Sequence, residues 1–225
     1  MRVRNAEVVT VVDAAARAAA DEIRVQQRAL AASAGTSSGG TDPAYAPERE
    51  RFGAYTHVEI WDRVHEALDP GALGETAAAW QANADAVADA FQSFADTANR
   101  EFARWSGRSA EAAQRATREF IRAGAGAHDV CRAVQRLMEL NRDAAQTIRA
   151  AIPQPRRYAP LDDPAAEAVS GGRRRMDHDL AAATAEADAQ DTMTYVYTPT
   201  MPASGDSVPR FTPPRAPSDG GGGAR

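Results

Sequence analysis

The chain has 225 residues, enough for one ordinary domain plus a tail, and its net charge of −5 excludes a general nucleic-acid binder, which needs a basic surface. The apolar share of 44% is rich in alanine while aromatic residues reach only 6%, which suits close packing of long helices better than a thick core. A single cysteine, Cys131, rules out an internal disulfide framework.

The N-terminal segment carries Arg2 and Arg4 ahead of Val8, Val9, Thr10, Val11 and Val12, but Glu7 and Asp13 bracket that run too closely for the apolar core of a Sec signal. No stretch approaches the roughly 18 to 20 apolar residues needed to span a bilayer. Residues from about 6 to 33 instead read as a first amphipathic helix, with Val8, Val12, Ala15, Ala19, Ile23 and Leu30 on its apolar face. The Gly-, Ser- and Pro-rich stretch from Gly35 to Pro47 reads as a flexible linker. A short helix follows from about His57 to Leu68, with Ile60, Trp61, Val64 and Leu68 inward.

Asp69-Pro70-Gly71 ends that helix and starts the next, since Asp caps a helix and Pro suits a first turn. A third helix is predicted from about Leu73 to Arg104, carrying Ala77, Trp80, Ala84, Val87, Phe91, Phe94, Ala98 and Phe102 at spacings of three and four. Trp105-Ser106-Gly107 interrupts the rhythm. Ser109 then opens a fourth helix that continues to about Ile152, with Ala113, Thr117, Phe120, Gly124, Ala127, Cys131, Val134, Met138, Ala145, Ile148 and Ile152 on its stripe. Two apolar stripes joined by a short link read as a long antiparallel hairpin. Gly124 and Gly126 inside the fourth helix mark a close crossing or a slight kink, and Asn141 falls on the apolar seam.

Pro153 and Pro155 end the fourth helix. After a linker, a fifth helical segment from about Ala165 to Thr192 is interrupted by Gly171-Gly172 and has a weak apolar stripe at Met176, Leu180, Ala183 and Ala187, so it is expected to dock loosely. From Thr194 onward the Pro-, Gly-, Ser- and Thr-rich sequence predicts a disordered, partly polyproline tail, with Tyr195, Val196 and Tyr197 able to tack its start onto the helices. The organisation expected is thus a helical bundle over 1–152, a linker and additional helix over 153–193, and a disordered tail over 194–225. The fold class is all-α: an elongated bundle built on the long hairpin.

Catalytic patterns are missing from this reading. His57 and His65 are eight residues apart, whereas helical metal pairs need three or four. Cys131 lies on an apolar stripe, where a free cysteine behaves as a small hydrophobe. There is no Gly-rich phosphate loop and no Gly-x-Ser-x-Gly elbow. The Arg173-Arg174-Arg175 run and Arg156-Arg157 are small basic sites offset by nearby acids, and read as solvated charge. No enzyme activity, cofactor or metal is expected.

A long helical hairpin with Trp105-Ser106-Gly107 at its turn resembles the WXG group of type VII (ESX) secretion substrates of actinobacteria. The extra N-terminal helix and Pro-rich tail are similar to the larger PPE-like, EspB-type members, over roughly residues 6 to 210. The resemblance implies a substrate exported without a Sec signal, secreted or held at the cell envelope, and recognised by the ESX secretion ATPase through Trp105 and Gly107. It implies trimming by a mycosin-type protease, homo-oligomer formation and association with anionic lipid. The family also carries a Tyr-x-x-x-acid signal. Two candidates fit that pattern, Tyr55 with Glu59 at the start of the short helix and Tyr158 with Asp162 after the fourth, and the first is preferred because Pro160 argues against a regular helix at the second. An alternative within the same resemblance is a PPE-like binding module whose apolar stripe is covered by a small helical partner.

Overall fold

A computed structural model describes residues 3–37, 40–45, 48–206 and 208–211, with side-chain environments in the first helix from 14 to 33. The fold is all-α. Helix α1 spans Val3–Ser37, α2 His57–Ala67, α3 Pro70–Phe102, α4 Arg108–Ala151, α5 Pro164–Thr192 and α6 Thr198–Ser204. A 3-10 turn, Phe52–Ala54, precedes α2, and a π-helical turn, Met193–Tyr197, joins α5 to α6. Among the described residues the extended pairing is limited to one antiparallel bridge, Thr41 to Pro209.

The chain divides into two compact units drawn from separated stretches. One takes the described parts of Met1–Gln27, Ala44–Leu73 and Leu140–Asp206; the other takes those of Arg28–Pro43, Gly74–Glu139 and Ser207–Arg225. The boundaries expected at 152/153 and 193/194 therefore fall inside a single unit.

In the first unit the core is made by Ile60 and Val64 of α2, Leu140, Ala144, Ala145, Ile148 and Ile152 at the end of α4, and Ala16, Ala20 and Ile23 of α1. The buried face of α1 is rotated from the expected one, since Ala15 is exposed while Ala16 and Ala20 are buried. The alanine-rich sequence leaves the stripe underdetermined, because small residues on either face fit a helix pattern. The side chains of Val8 and Val12 lie outside the described residues.

Helix ends in this unit are closed by side chains from distant elements. Arg149 Nη1 donates to the carbonyls of His65 at 3.0 Å and Leu68 at 2.7 Å, with Val64 O at 3.4 Å, so one guanidinium serves the orphan carbonyls at the C-terminus of α2. At the other end of α2, the His57 N–H donates to Glu186 of α5 at 3.2 Å. Gln190 of α5 donates to Tyr55 O at 2.9 Å. These ties dock α5 more firmly than its sequence predicts. Gly171-Gly172 does not interrupt α5; Gly171 is buried within the continuous helix. The expected stripe is the part that fails, because Met176 and Leu180 are 66% and 71% exposed.

The segment after α5 departs most from expectation. Residues 193–204 are helical, and Val196 and Thr200 are fully buried. Hydroxyls supply the backbone partners that this Pro- and Thr-rich stretch needs: Thr200 Oγ1 donates to Val196 O at 2.6 Å, Thr198 to Met193 O at 3.0 Å and Ser204 to Met201 O at 2.7 Å. Tyr197 meets Phe52 edge-on with ring centroids 5.6 Å apart, and Gln27 of α1 donates to Thr200 O at 2.9 Å. A disordered tail from 194 is thus corrected through Ser204, and residues 212–225 lie outside the described residues.

In the second unit α3 and α4 run antiparallel. Phe91 packs on Phe120 at 5.2 Å between centroids, Phe94 meets Phe120 edge-on at 5.4 Å, and Gln135 donates to Gln81 at 3.2 Å. Residue numbers fall along α3 as they rise along α4, the signature of a hairpin. A Cβ on Gly124 would collide with the Phe91 ring, so the glycine is there for close approach, as expected of a crossing. Nothing lies near Gly126. Asn141, in the part of α4 that belongs to the first unit, is buried, as its position on the apolar stripe predicts, and its Oδ1 has no partner among the described residues. The Gly35–Pro47 linker is partly pinned: α1 runs on to Ser37, and Asp42 N donates to Val208 O at 2.9 Å while Arg210 N donates to Gly40 O at 3.0 Å.

The two glycines separate cleanly in a test. Gly126→Ala should raise stability by about 1 kcal/mol, the ordinary helix gain. Gly124→Ala should lose that gain and lower stability, because the Phe91 ring must move. Urea unfolding of both variants checks this.

Candidate recognition site at the helical turn

The reversal between α3 and α4 is built from five residues, 103–107. The last turn of α3 tightens, with Ala103 N donating to Asn99 O at 3.1 Å, Arg104 N to Glu101 O at 3.3 Å and Trp105 N to Phe102 O at 3.0 Å. Gly107 then takes φ +93°, a left-handed conformation that costs an L side chain about 1–2 kcal/mol. Its carbonyl accepts from Glu111 N at 3.1 Å and so begins the α4 ladder. The cap of α4 is therefore Gly107, not Ser109 as expected: the helix starts at Arg108 and Ser109 already lies in its first turn. No atom stands within 4 Å of a Cβ built on Gly107, so the requirement for glycine is conformational and not one of space.

This geometry places the indole outside. Trp105 is 57% exposed and rests edge-on against Phe102, with centroids 5.5 Å apart. Arg104 and Arg108 flank it, and both are exposed. Farther along the hairpin Phe94 and Phe120 are each 42% exposed.

The tyrosine candidates lie in the other unit. Tyr55 sits in extended backbone before α2 and not on a helix, so Tyr55 and Glu59 do not share a helical face. The hydroxyl of Tyr55 donates to Glu50, whose carboxylate raises the phenol above its usual range, and the Arg63 guanidinium lies 4.7 Å over the ring. Glu59 is occupied elsewhere. It accepts from Thr56 N at 2.8 Å and from the Thr56 hydroxyl at 2.9 Å, while its own N–H donates back to Thr56 Oγ1 at 3.3 Å. Thr56-x-x-Glu59 is thus a capping box, and those bonds, the Thr56 N–H foremost, hold the Glu59 carboxyl below its ordinary value. The spacing was visible in the sequence and signals the N-terminus of α2.

Tyr158 behaves in parallel. It lies in the irregular segment after α4 and donates to Glu167 at 2.6 Å, which raises its phenol; Arg175 stands 4.8 Å over its ring and His178 meets it edge-on at 5.5 Å. Asp162 is exposed in the bend before α5. Each tyrosine is therefore bonded to a carboxylate other than the one four residues on.

The remaining titratable candidates serve structure. His57 Nε2–H donates to Pro153 O at 2.9 Å, and His65 Nδ1–H donates to Trp61 O at 2.9 Å. Burial pushes the Cys131 thiol up, away from the reactive thiolate. Among the described residues no group of three or more His, Cys, Asp or Glu is placed to hold a metal ion. No protein-family model matches the chain, and neither a curated protein nor a solved structure matches it.

A pH test follows from the capping box. The carboxyl of Glu59 is depressed from its ordinary 4.5 in the folded state, so its contribution is present above that value and is lost as pH falls through the folded one. Glu59→Ala should lower the urea midpoint at neutral pH, and its difference from the unsubstituted chain should narrow as pH falls through the carboxyl range and Glu59 is protonated.

Proposed function

We propose that this protein is a substrate of a type VII (ESX) secretion system, read through the Trp105–Gly107 turn. One observation carries the reading: a tryptophan more than half exposed in a tight turn between two long antiparallel helices, with a glycine of positive φ beginning the return helix. A rigid turn that displays an indole offers a partner a large contact area at little conformational cost. The ESX secretion ATPase is the reader in this account. Tyr55 with Glu59 is the preferred second element and Tyr158 with Asp162 the other; both acids are exposed and both rings are partly buried. Among the described residues no helix is long and apolar enough to cross a membrane, which is compatible with export of a folded chain.

A second reading is favoured by the half-exposed Phe94 and Phe120 along the hairpin. An α3–α4 pair with exposed aromatic rings suits a small amphipathic helical partner laid along it. The two readings differ in where substitution matters.

The expected result for Trp105→Ala is loss of export from an actinobacterial host with an active ESX system, with helicity by circular dichroism unchanged, because the ring is not a core residue. Export at the unsubstituted level would contradict the proposal. Phe94→Gln, which keeps the Phe91–Phe120 contact, should leave export intact under the first reading and weaken capture of a partner under the second.

A further inference from the structure

The turn that displays the indole also gathers positive charge. From 100 to 108 the sequence holds Arg100, Arg104 and Arg108 against one acid, Glu101, in a chain whose net charge is −5. The body of α3 before them is acidic, with Glu75, Asp85, Asp89 and Asp96 as its charged residues up to position 99. Folding accounts for two of the three arginines. Arg100 and Arg104 lie at the C-terminal end of α3, where a cation meets the negative end of the helix dipole, and Arg100 donates to the Thr97 hydroxyl at 3.1 Å. Arg108 has no such reason. It is the first residue of α4, at the positive end of that helix, where an acid is favoured and a cation is not. Glu111 occupies the same first turn, yet among the described residues neither Arg104 nor Arg108 is paired with a carboxylate or laid over an aromatic ring.

A charge that works against its own helix, three residues from an exposed indole, points to a use outside the chain. We infer that Arg108, with Arg104 beside it, is a specificity-determining part of the recognition turn, and that the surface reading it is a protein slot, apolar for the indole and rimmed by carboxylates. The inference rests on the export reading and deepens it. Tryptophan and arginine are the side chains on which interface energy concentrates, and a guanidinium fork matches a carboxylate with two parallel hydrogen bonds. The indole supplies contact area that any apolar slot accepts, whereas the guanidiniums set the sign of the surface around it and so choose among slots. Gly107 holds Trp105 and Arg108 at a fixed separation, because its backbone angle belongs to the turn and Arg108 already belongs to α4. A single ring on a rigid turn, with the exposed Glu101 and Glu111 on either side, suits a shaped slot better than a flat anionic surface, which repels both acids.

Export of the full chain from an actinobacterial host with an active ESX system reads the effect. Arg108→Glu should reduce export by about tenfold or more and Arg108→Gln by less, while the urea midpoint of both purified chains is unchanged or raised, since the helix dipole opposes the native cation. Arg118→Glu makes the same charge change about 15 Å farther along α4 and should be exported at the unsubstituted level. Loss of export for Trp105→Ala with normal export of Arg108→Glu would overturn the inference and leave the export reading standing; normal export of both would overturn the two together. A lowered urea midpoint for Arg108→Glu would assign the arginine to folding, and an equal loss for Arg118→Glu would show that net charge is sensed instead of the turn; either sinks the inference. Vesicles of phosphatidylglycerol and phosphatidylcholine test a lipid surface in place of a protein one. The purified chain should sediment with them no more than Arg108→Glu does, and sedimentation that depends on Arg108 would overturn the carboxylate-rimmed slot.

Discussion

The positive φ of Gly107 lets a 33-residue helix be followed within five residues by a 44-residue helix running back beside it. An L side chain at that position would pay about 1–2 kcal/mol for the backbone angle, which is part of the five-residue link that turns the chain from α3 into α4. The exposure of Trp105 follows from the same constraint. The last turn of α3 tightens up to residue 105, the chain reverses at 107, and the indole is left outside with only Phe102 beneath it. Farther along, Gly124 lets α4 approach the Phe91 ring closely enough for the hairpin to keep a thin seam. Two glycines thus do different work, one through backbone conformation and one through the space a missing Cβ leaves.

Helix extents were legible because strong punctuation marks them. Asp69-Pro70 starts α3, with Asp69 Oδ1 accepting from Gly71 N at 2.8 Å and Ala72 N at 3.2 Å; Asp163 and Pro164 start α5 in the same way. Faces were less legible than extents. In α1 alanine recurs so often that the pattern does not say which side is buried, and Gln27 takes a core position by donating to Thr200 O. In α5 the apolar residues mark the outward face, because the inward one is made of Gly171, Ala189 and Thr192 and is held by polar ties. A hydropathy pattern finds the stripe but does not report which way it points.

The order after α5 was hidden for a related reason. A stretch rich in Thr and Pro has little apolar surface, and composition predicts disorder. Here hydroxyl-to-carbonyl bonds, one buried valine and the Tyr197–Phe52 contact supply what composition lacks. At the candidate site the Trp-x-Gly turn was visible in the sequence as a break between two periodic stripes. The acidic partners of the tyrosines were not. Tyr55 turns to Glu50 and Tyr158 to Glu167, while Glu59 is committed to the capping box, an assignment that Thr56-x-x-Glu59 spells out once α2 is known to begin there.

Recognition through the turn requires that the Trp105 indole be open to solvent. A chain carrying Trp61→Phe and Trp80→Phe leaves Trp105 as the sole tryptophan, and its fluorescence quenching by iodide and acrylamide reads that exposure directly. Red-shifted emission with quenching close to that of free tryptophan is the predicted result. Blue-shifted emission with strong protection from iodide would contradict it, because a buried indole leaves the turn nothing to display.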